Sequence, residues 1–363
     1  MNGLLICHGR GDYKNIGDYI QSIAQEQFWT KIDILVEREK LNQIKCKKKI
    51  NIIMNGWFMW FPETFCLKEC LNPLFVSFHI APSIAEKLLT KDNIKQLKKY
   101  TPIGARDLET KNILEKKGIS SYFSGCLTLT LGNTFKSTTK NGKIYIVDPY
   151  YELGGTNNNK LKYVRALFFL IKHYRNILPL KKIFNYEFKS SLNKKSQWLD
   201  KMLHLASFYE AYSKILDKNT IYIANYITHI INIGENSSEQ ERLQIARNYI
   251  EMYSKASLVI TSRIHAALPC LAVETPTIFI SSDKLTNGST IRSNGRFGGI
   301  TDLLNLLNYE NGQLIPKSPH IKDVLSKGKI SKMTKIENPS NYKILRDKLN
   351  DRVKKFVDEC NSL

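Results

Sequence analysis

In the stretch ITSRIHAALP (260–269), Ser262, Arg263 and His265 have the types and spacing for chemistry on an anion. They separate two apolar runs, ASLVIT and TPTIFI, each short enough to be a buried strand. Where a helix follows such a strand, its first N–H groups lack intrahelical partners and the dipole is positive there. A terminus of this kind, beyond the carboxyl end of a strand, is suited to phosphate or carboxylate. Ser262 is the expected cap of that helix, with Arg263, Ile264 and His265 in its first turn. Arg263 adds a planar fork that matches carboxylate and phosphate geometry. A bound dianion favours the protonated imidazole, so His265 is the expected proton donor once substrate is present. The plain structural alternative is a capping serine, a solvated arginine and a histidine bonded to a nearby carbonyl.

The same strand–arginine–helix order recurs in PIGARDLET (102–110), where Arg106 ends a strand and Asp107 is a natural N-cap. Arg296 stands in the Gly-rich loop SNGRFGG, where backbone approaches a ligand closely. Near the N-terminus, GRGDYKNIGDYIQ (9–21) places Gly9, Gly11, Asn15, Gly17 and Asp18 between a strand and a helix. It is neither a dinucleotide fingerprint nor a P-loop, and Asp18 reads as a ligand residue or as the helix cap. Asn55 and His79 end the runs INIIM and LFVSF. Hydrolase, metalloprotease, Asp-rich metal and RNA-reading signatures are absent from the sequence. Cys66 and Cys70 form a lone pair without a second Cys/His pair at zinc spacing, so no metal is expected.

Short apolar runs alternate with helix-period segments, the pattern of an α/β fold with parallel sheets. Strands are expected at 4–7, 32–36, 50–54, 74–78, 102–105 and 126–131, then at 144–147, 221–225, 256–261 and 277–281. Helices are expected at 18–28, 84–100, 107–118, 161–178 and 197–216, after the capping box Ser238–Glu241, at the SRIH segment, and at 299–307 and 342–359. The series divides into two Rossmann-like domains, 1–138 and 139–338, the second with a helical insertion at 160–217. Residues 339–363 form a C-terminal helix whose apolar stripe is expected to pack back across the junction.

The chain has 363 residues and a net charge of +21, which points to anionic partners. The excess is mostly lysine spread over many segments, so a solvated surface or an anionic membrane leaflet is favoured and nucleic acid is not expected. No apolar stretch is long enough to span a bilayer, and MNGLLICHGRGD turns polar too soon for a signal peptide. Seven scattered cysteines suit a reducing compartment, and a cytoplasmic location is expected, including the inner face of the membrane.

Five segments together, NIGDYIQSIAQEQF (15–28), NGWFMW (55–60), PIGARDLET, YFSGCLTLTL (122–131) and TSRIHAALPCLAVETPTIFI (261–280), resemble the polysaccharide pyruvyl transferase family. The resemblance spans roughly residues 10–300 and departs from many relatives at SGCLTL (124–129). It implies a GT-B-like pair of domains, the first on the acceptor side and the second on the donor side. It also implies a phosphoenolpyruvate donor, no cofactor, and a pyruvate ketal on a sugar of a surface polysaccharide, glycolipid or lipid-linked precursor. On that reading Ser262, Arg263, Arg106 and Arg296 hold phosphoenolpyruvate and His265 is the general acid. Asp18 or Asp107 is the base, and Asn15, Gly17, Asn55 and His79 face the acceptor. The alternatives are a GT-B nucleotide-sugar glycosyltransferase and a non-catalytic anion- or nucleic-acid-binding protein.

Overall fold

The computed structural model describes residues 1–363 except 10, 46, 59–60, 157, 159, 186–197, 235, 283–296 and 363. Its N-terminal half runs β1 (Asn2–Ile6), β2 (Tyr13–Asn15), α1 (Ile16–Glu26), β3 (Ile34–Glu37), β4 (Ile50–Ile53), β5 (Gly56–Phe58), β6 (Leu71–Leu74) and β7 (Phe78–Ile80). It continues with α2 (Ala85–Leu88), α3 (Lys91–Leu97), β8 (Ile103–Ala105), α4 (Leu108–Lys116) and β9 (Ser121–Phe123). All pairings among these strands other than β2 are parallel, in the orders β3-β1-β4-β6 and β5-β7-β8-β9. The two sheets are halves of one surface. Met54 donates to the Leu74 carbonyl, Gly56 to Ser77 and Gly104 to Phe75, which carries the ladder across the break. Ser77 lies in the left-handed region at φ 55, so LFVSF is split where one strand was expected.

The C-terminal half comprises α5 (Gly132–Phe135), β10 (Ile144–Val147), α6 (Lys162–Ile177), α7 (Trp198–Tyr212), α8 (Lys218–Ile223), β11 (Asn225–Ile227), β12 (Ile230–Asn232) and α9 (Glu239–Lys255). It ends with β13 (Leu258–Thr261), α10 (Ile264–Ala272), β14 (Thr277–Ser282), β15 (Asn305–Glu310), β16 (Gln313–Pro316), α11 (Pro319–Ser326) and α12 (Tyr342–Asn361). Its sheet has the order β11-β10-β13-β14-β15-β16, parallel except for the final hairpin. IYIV, LVIT and TIFISS are buried at every position, as expected for parallel strands covered on both faces.

Four further expected elements differ. IYIAN begins inside α8, capped by Asp217 through Thr220 N–H, and only its last residue enters β11. CLTLTL is a 3-10 turn at Leu127–Thr130 following β9. GITDLLNLL gives a 3-10 turn and then β15, because pairing with β14 and β16 overrides its helix-like leucine spacing. The segment 84–100 is two short helices with Thr90 capping the second.

The halves are sewn together along α1. β2 pairs antiparallel with β12, Asn15 opposite Ile230, and Ile16 N–H donates to the His229 carbonyl. Ile16, Ile20, Ile23 and Ala24 of α1 share a buried cluster with Leu243, Ala246 and Ile250 of α9 and with Ala266 of α10. Arg242, fully buried, donates to Tyr19 Oη at 3.2 Å and Ser237 Oγ at 2.8 Å, and pairs with Glu239 at 2.9 Å. The capping box at Ser238 and Glu241 starts α9 as its sequence predicts. The C-terminal helix does pack back: Leu349, Val353 and Val357 join the α1 cluster, while Tyr342 joins Leu268 and Phe279.

Candidate active site

Register explains the first group of residues. Val147 lies opposite Ile227 and Thr261, so the next residues, Asp148, Thr228 and Ser262, emerge side by side at the sheet's carboxyl edge. Asp148, at φ 43, accepts the His229 N–H at 2.9 Å and the Arg263 Nε–H at 2.6 Å through the same oxygen, Oδ2. Ser262 Oγ donates to the Asp148 carbonyl at 2.5 Å. Ser262 is therefore not the cap of α10. The N-cap is Arg263, whose N–H bonds Thr261 Oγ1 at 2.9 Å and which makes no side-chain cap.

Anchored through Nε, the Arg263 side chain is still 35% exposed, and its two terminal nitrogens have no partner among the described residues. That is a guanidinium held at one edge and open at the other. Burial disfavours the Asp148 carboxylate, but Arg263 and then His229 with its N–H bring its pKa below the ordinary value. His229, fully buried, is pushed down to about 4, chiefly by desolvation. Its Nε2 meets Tyr253 Oη at 2.6 Å and its Nδ1 has no hydrogen-bond partner among the described residues.

His265 lies in the first turn of α10 and its ring rests on α1. A Cβ added to Gly17 would stand 3.1 Å from both His265 Cβ and Nδ1, so a larger residue there would have to push the imidazole aside by a few tenths of an ångström. Asn15 caps α1, accepting the Gly17 N–H at 3.1 Å and donating to Asp18 Oδ2 at 3.1 Å. Asp18 is thus not the cap. It faces Arg38 Nη1 at 3.6 Å with its own side chain 19% exposed. Arg38 is buried and also reaches Glu39 and Cys7 Sγ. Burial pulls the Arg38 pKa down, but Cys7, Asp18, Glu39 and Glu37 outweigh it and the net shift is upward. Asn55, buried alongside, donates to the Gln21 carbonyl at 3.1 Å and leaves Oδ1 without a partner among the described residues. Asn15, Gly17, Asp18 and Asn55 are thereby gathered around the start of α1, with His265 against Gly17.

The second strand–arginine–helix junction is closed. Asp107 caps α4, accepting the Thr110 N–H at 2.9 Å through Oδ1, and meets His79 Nδ1 at 2.5 Å and Arg106 Nε at 3.3 Å through Oδ2. All three are 0–1% exposed. Burial opposes ionisation of Asp107, but His79 and Arg106 hold its pKa below the ordinary value. Each oxygen of Asp18 also has a partner, Asn15 Nδ2 at 3.1 Å on Oδ2 and Gln21 Nε2 at 3.4 Å on Oδ1, but Asp107 is fully buried and Asp18 is not, so of the two aspartates only Asp18 reaches solvent. His79 lies behind Asp107 and does not line an open surface. Arg296 lies outside the described residues; Gly298 reaches this junction, where Leu108 N–H donates to its carbonyl at 3.1 Å. In the variant segment SGCLTL, Ser124 Oγ bridges Ser77 N–H and the Ala105 carbonyl, a structural bond.

The sequence reading missed Asp148, Arg38 and His229. Each follows a strand's carboxyl end within two residues, the same signal that picked out Arg106 and Asn55. Cys70 is disulfide-bonded, which removes it as a thiolate partner for Cys66. Among the described residues no cluster of His, Cys, Asp and Glu has the arrangement of a metal site, and no helix is long and apolar enough to cross a membrane.

No curated protein and no solved structure matches the chain. The family model described as "Polysaccharide pyruvyl transferase" matches residues 15–284, a span from the Asn15 cap of α1 through β14 that contains both arginine junctions and His265. On that match, which takes in about three quarters of its length, the chain belongs to the polysaccharide pyruvyl transferase family.

Proposed function

We propose that the protein transfers the enolpyruvyl group of phosphoenolpyruvate to two hydroxyls of a sugar in a polysaccharide or its precursor, forming a ketal and releasing phosphate. The supporting observation is the β13–α10 junction, where Arg263 is anchored on Asp148 with its outer edge open and His265, two residues on in the first turn of α10, stands against Gly17. The Arg263 terminal nitrogens and the α10 N-terminus receive the phosphate and carboxylate of the donor. His265 protonates the methylene carbon, which becomes a methyl group, and positive charge develops at C2. One sugar hydroxyl adds there, the C–O bond to phosphate breaks, and the second hydroxyl closes the ketal. Of the two hydroxyl protons, one replaces that given by His265 and one leaves with phosphate.

Asp18 is the base for the acceptor. Arg38 and Asn15 hold its carboxylate in place. Asp107, Arg106 and His79 take a supporting part in this scheme, bracing the sheet edge and the start of α4. The two halves, each a parallel sheet with flanking helices, serve as acceptor side and donor side in a GT-B-like arrangement.

The test is phosphate release from phosphoenolpyruvate in the presence of a panel of free, nucleotide-linked and lipid-linked sugars. The acceptor must gain the mass of one pyruvate less one water. Release of nucleotide diphosphate from a nucleotide sugar, with no phosphate from phosphoenolpyruvate, would replace this reading with glycosyl transfer.

A further inference from the structure

Helix α6 has two apolar faces, and only one of them is covered. Ala166, Leu170 and Ile177 are buried against the C-terminal half. On the other side Val164, Leu167, Phe168, Ile171, Tyr174 and Leu178 recur at three- and four-residue spacing and are all exposed, Phe168 at 61% and Ile171 at 71%. Trp198 and Leu199, at the start of the adjoining α7, are exposed as well. A solvated helix carries polar residues on its outer face, so this stripe is built for a surface that removes it from water.

The charge around it identifies that surface. From Leu153 to Asn185 the sequence holds seven Lys or Arg and no Asp or Glu. Lys160, Arg165, Arg175 and Lys181 are exposed. Lys172 is exposed as well and pairs with Glu210 of α7. A second copy of the chain is a poor occupant, because a twofold contact would set this basic rim against itself. An apolar stripe with Tyr and Trp, edged by long basic side chains, suits the interface of a bilayer with anionic headgroups: the rings sit at headgroup depth and Lys and Arg reach outward to phosphate.

We infer that the α6 face, with Trp198 and Leu199, docks the protein on an anionic lipid bilayer. This goes beyond the proposed transfer reaction and does not depend on it. The experiment is sedimentation of the whole protein with vesicles of phosphatidylcholine alone and of phosphatidylcholine mixed with phosphatidylglycerol, at low and high salt. The native protein partitions onto the anionic vesicles, less so as salt rises. The Phe168→Ser/Ile171→Ser double variant changes only exposed side chains and lowers that partition by about tenfold or more. Arg165→Glu/Arg175→Glu lowers it too and flattens its salt dependence; it carries the test if the first variant fails to fold by circular dichroism. The inference is overturned if the native protein ignores anionic vesicles, or if the folded variants bind as the native protein does. It is equally overturned if light scattering finds a dimer that the Phe168/Ile171 variant breaks.

Discussion

The chain builds a strand, an arginine and a helix in succession twice, and the two junctions come out opposite. At β8–α4 the residue after the arginine is Asp107, which caps the helix, pairs with Arg106 and His79, and lies with them out of solvent. At β13–α10 the arginine is itself the N-cap, makes no side-chain cap and remains partly exposed, while its carboxylate partner comes from another strand. One aspartate decides the difference. A buried helix terminus with a carboxylate cap and its first N–H already bonded has little to offer an anion, whereas a partly exposed one without a side-chain cap keeps donors and dipole available. Position at a strand's carboxyl end therefore marks both junctions, but the accounting of hydrogen bonds separates the anion site from the brace.

Substitutions at the two junctions should have opposite consequences for activity and stability. Replacing the acid of the open junction, His265→Ala, is expected to reduce turnover by about 10²–10⁴-fold while leaving the fold intact. Steady-state rates beside a circular-dichroism melt check it, and an unimpaired rate would make His265 a packing residue. Asp107→Ala at the closed junction strands Arg106 and His79 in the interior and should destabilise by about 3–5 kcal/mol in denaturant unfolding. If it unfolds like the native protein but turns over poorly, the brace is part of the site.

His229, beneath Asp148, should make stability depend on pH. The unfolded chain takes up that proton near the ordinary value of about 6.5, whereas the folded protein resists it down to about 4. Stability then falls by roughly 3 kcal/mol as pH drops across that window and levels off below it. His229→Gln should flatten this part of the profile, and an unchanged slope would assign it to other groups. The smallest effect is expected from Arg263→Lys, which keeps the charge but loses the fork. The KM for phosphoenolpyruvate should rise about tenfold with kcat less affected.

What the sequence carried and what it hid follow from range. IYIV, LVIT and TIFIS are legible because a buried parallel strand is a continuous apolar run. Ser238–Glu241 and Asp107 are legible because a cap is written within four residues. GITDLLNLL is not, because its strand state comes from pairing with β14 and β16. The open junction shows the same limit: Arg263 is visible in the sequence, but the carboxylate that orients it lies 115 residues away. Asp18 and Asp107 look alike as helix starters, and only burial tells the partly exposed carboxylate from the enclosed one. Likewise the α6 pattern predicts a helix but not which of its apolar faces remains uncovered.

The most direct measurement of the central claim is thermal unfolding of the native protein and of Arg263→Ala with and without phosphoenolpyruvate, at fixed ionic strength. A ligand at about 100 times its Kd stabilises by roughly 2.7 kcal/mol, a rise of a few degrees for a chain of this length. The open-junction account predicts that rise in the native protein and its loss in Arg263→Ala. A native protein that does not respond, or a response that survives in Arg263→Ala, would contradict it.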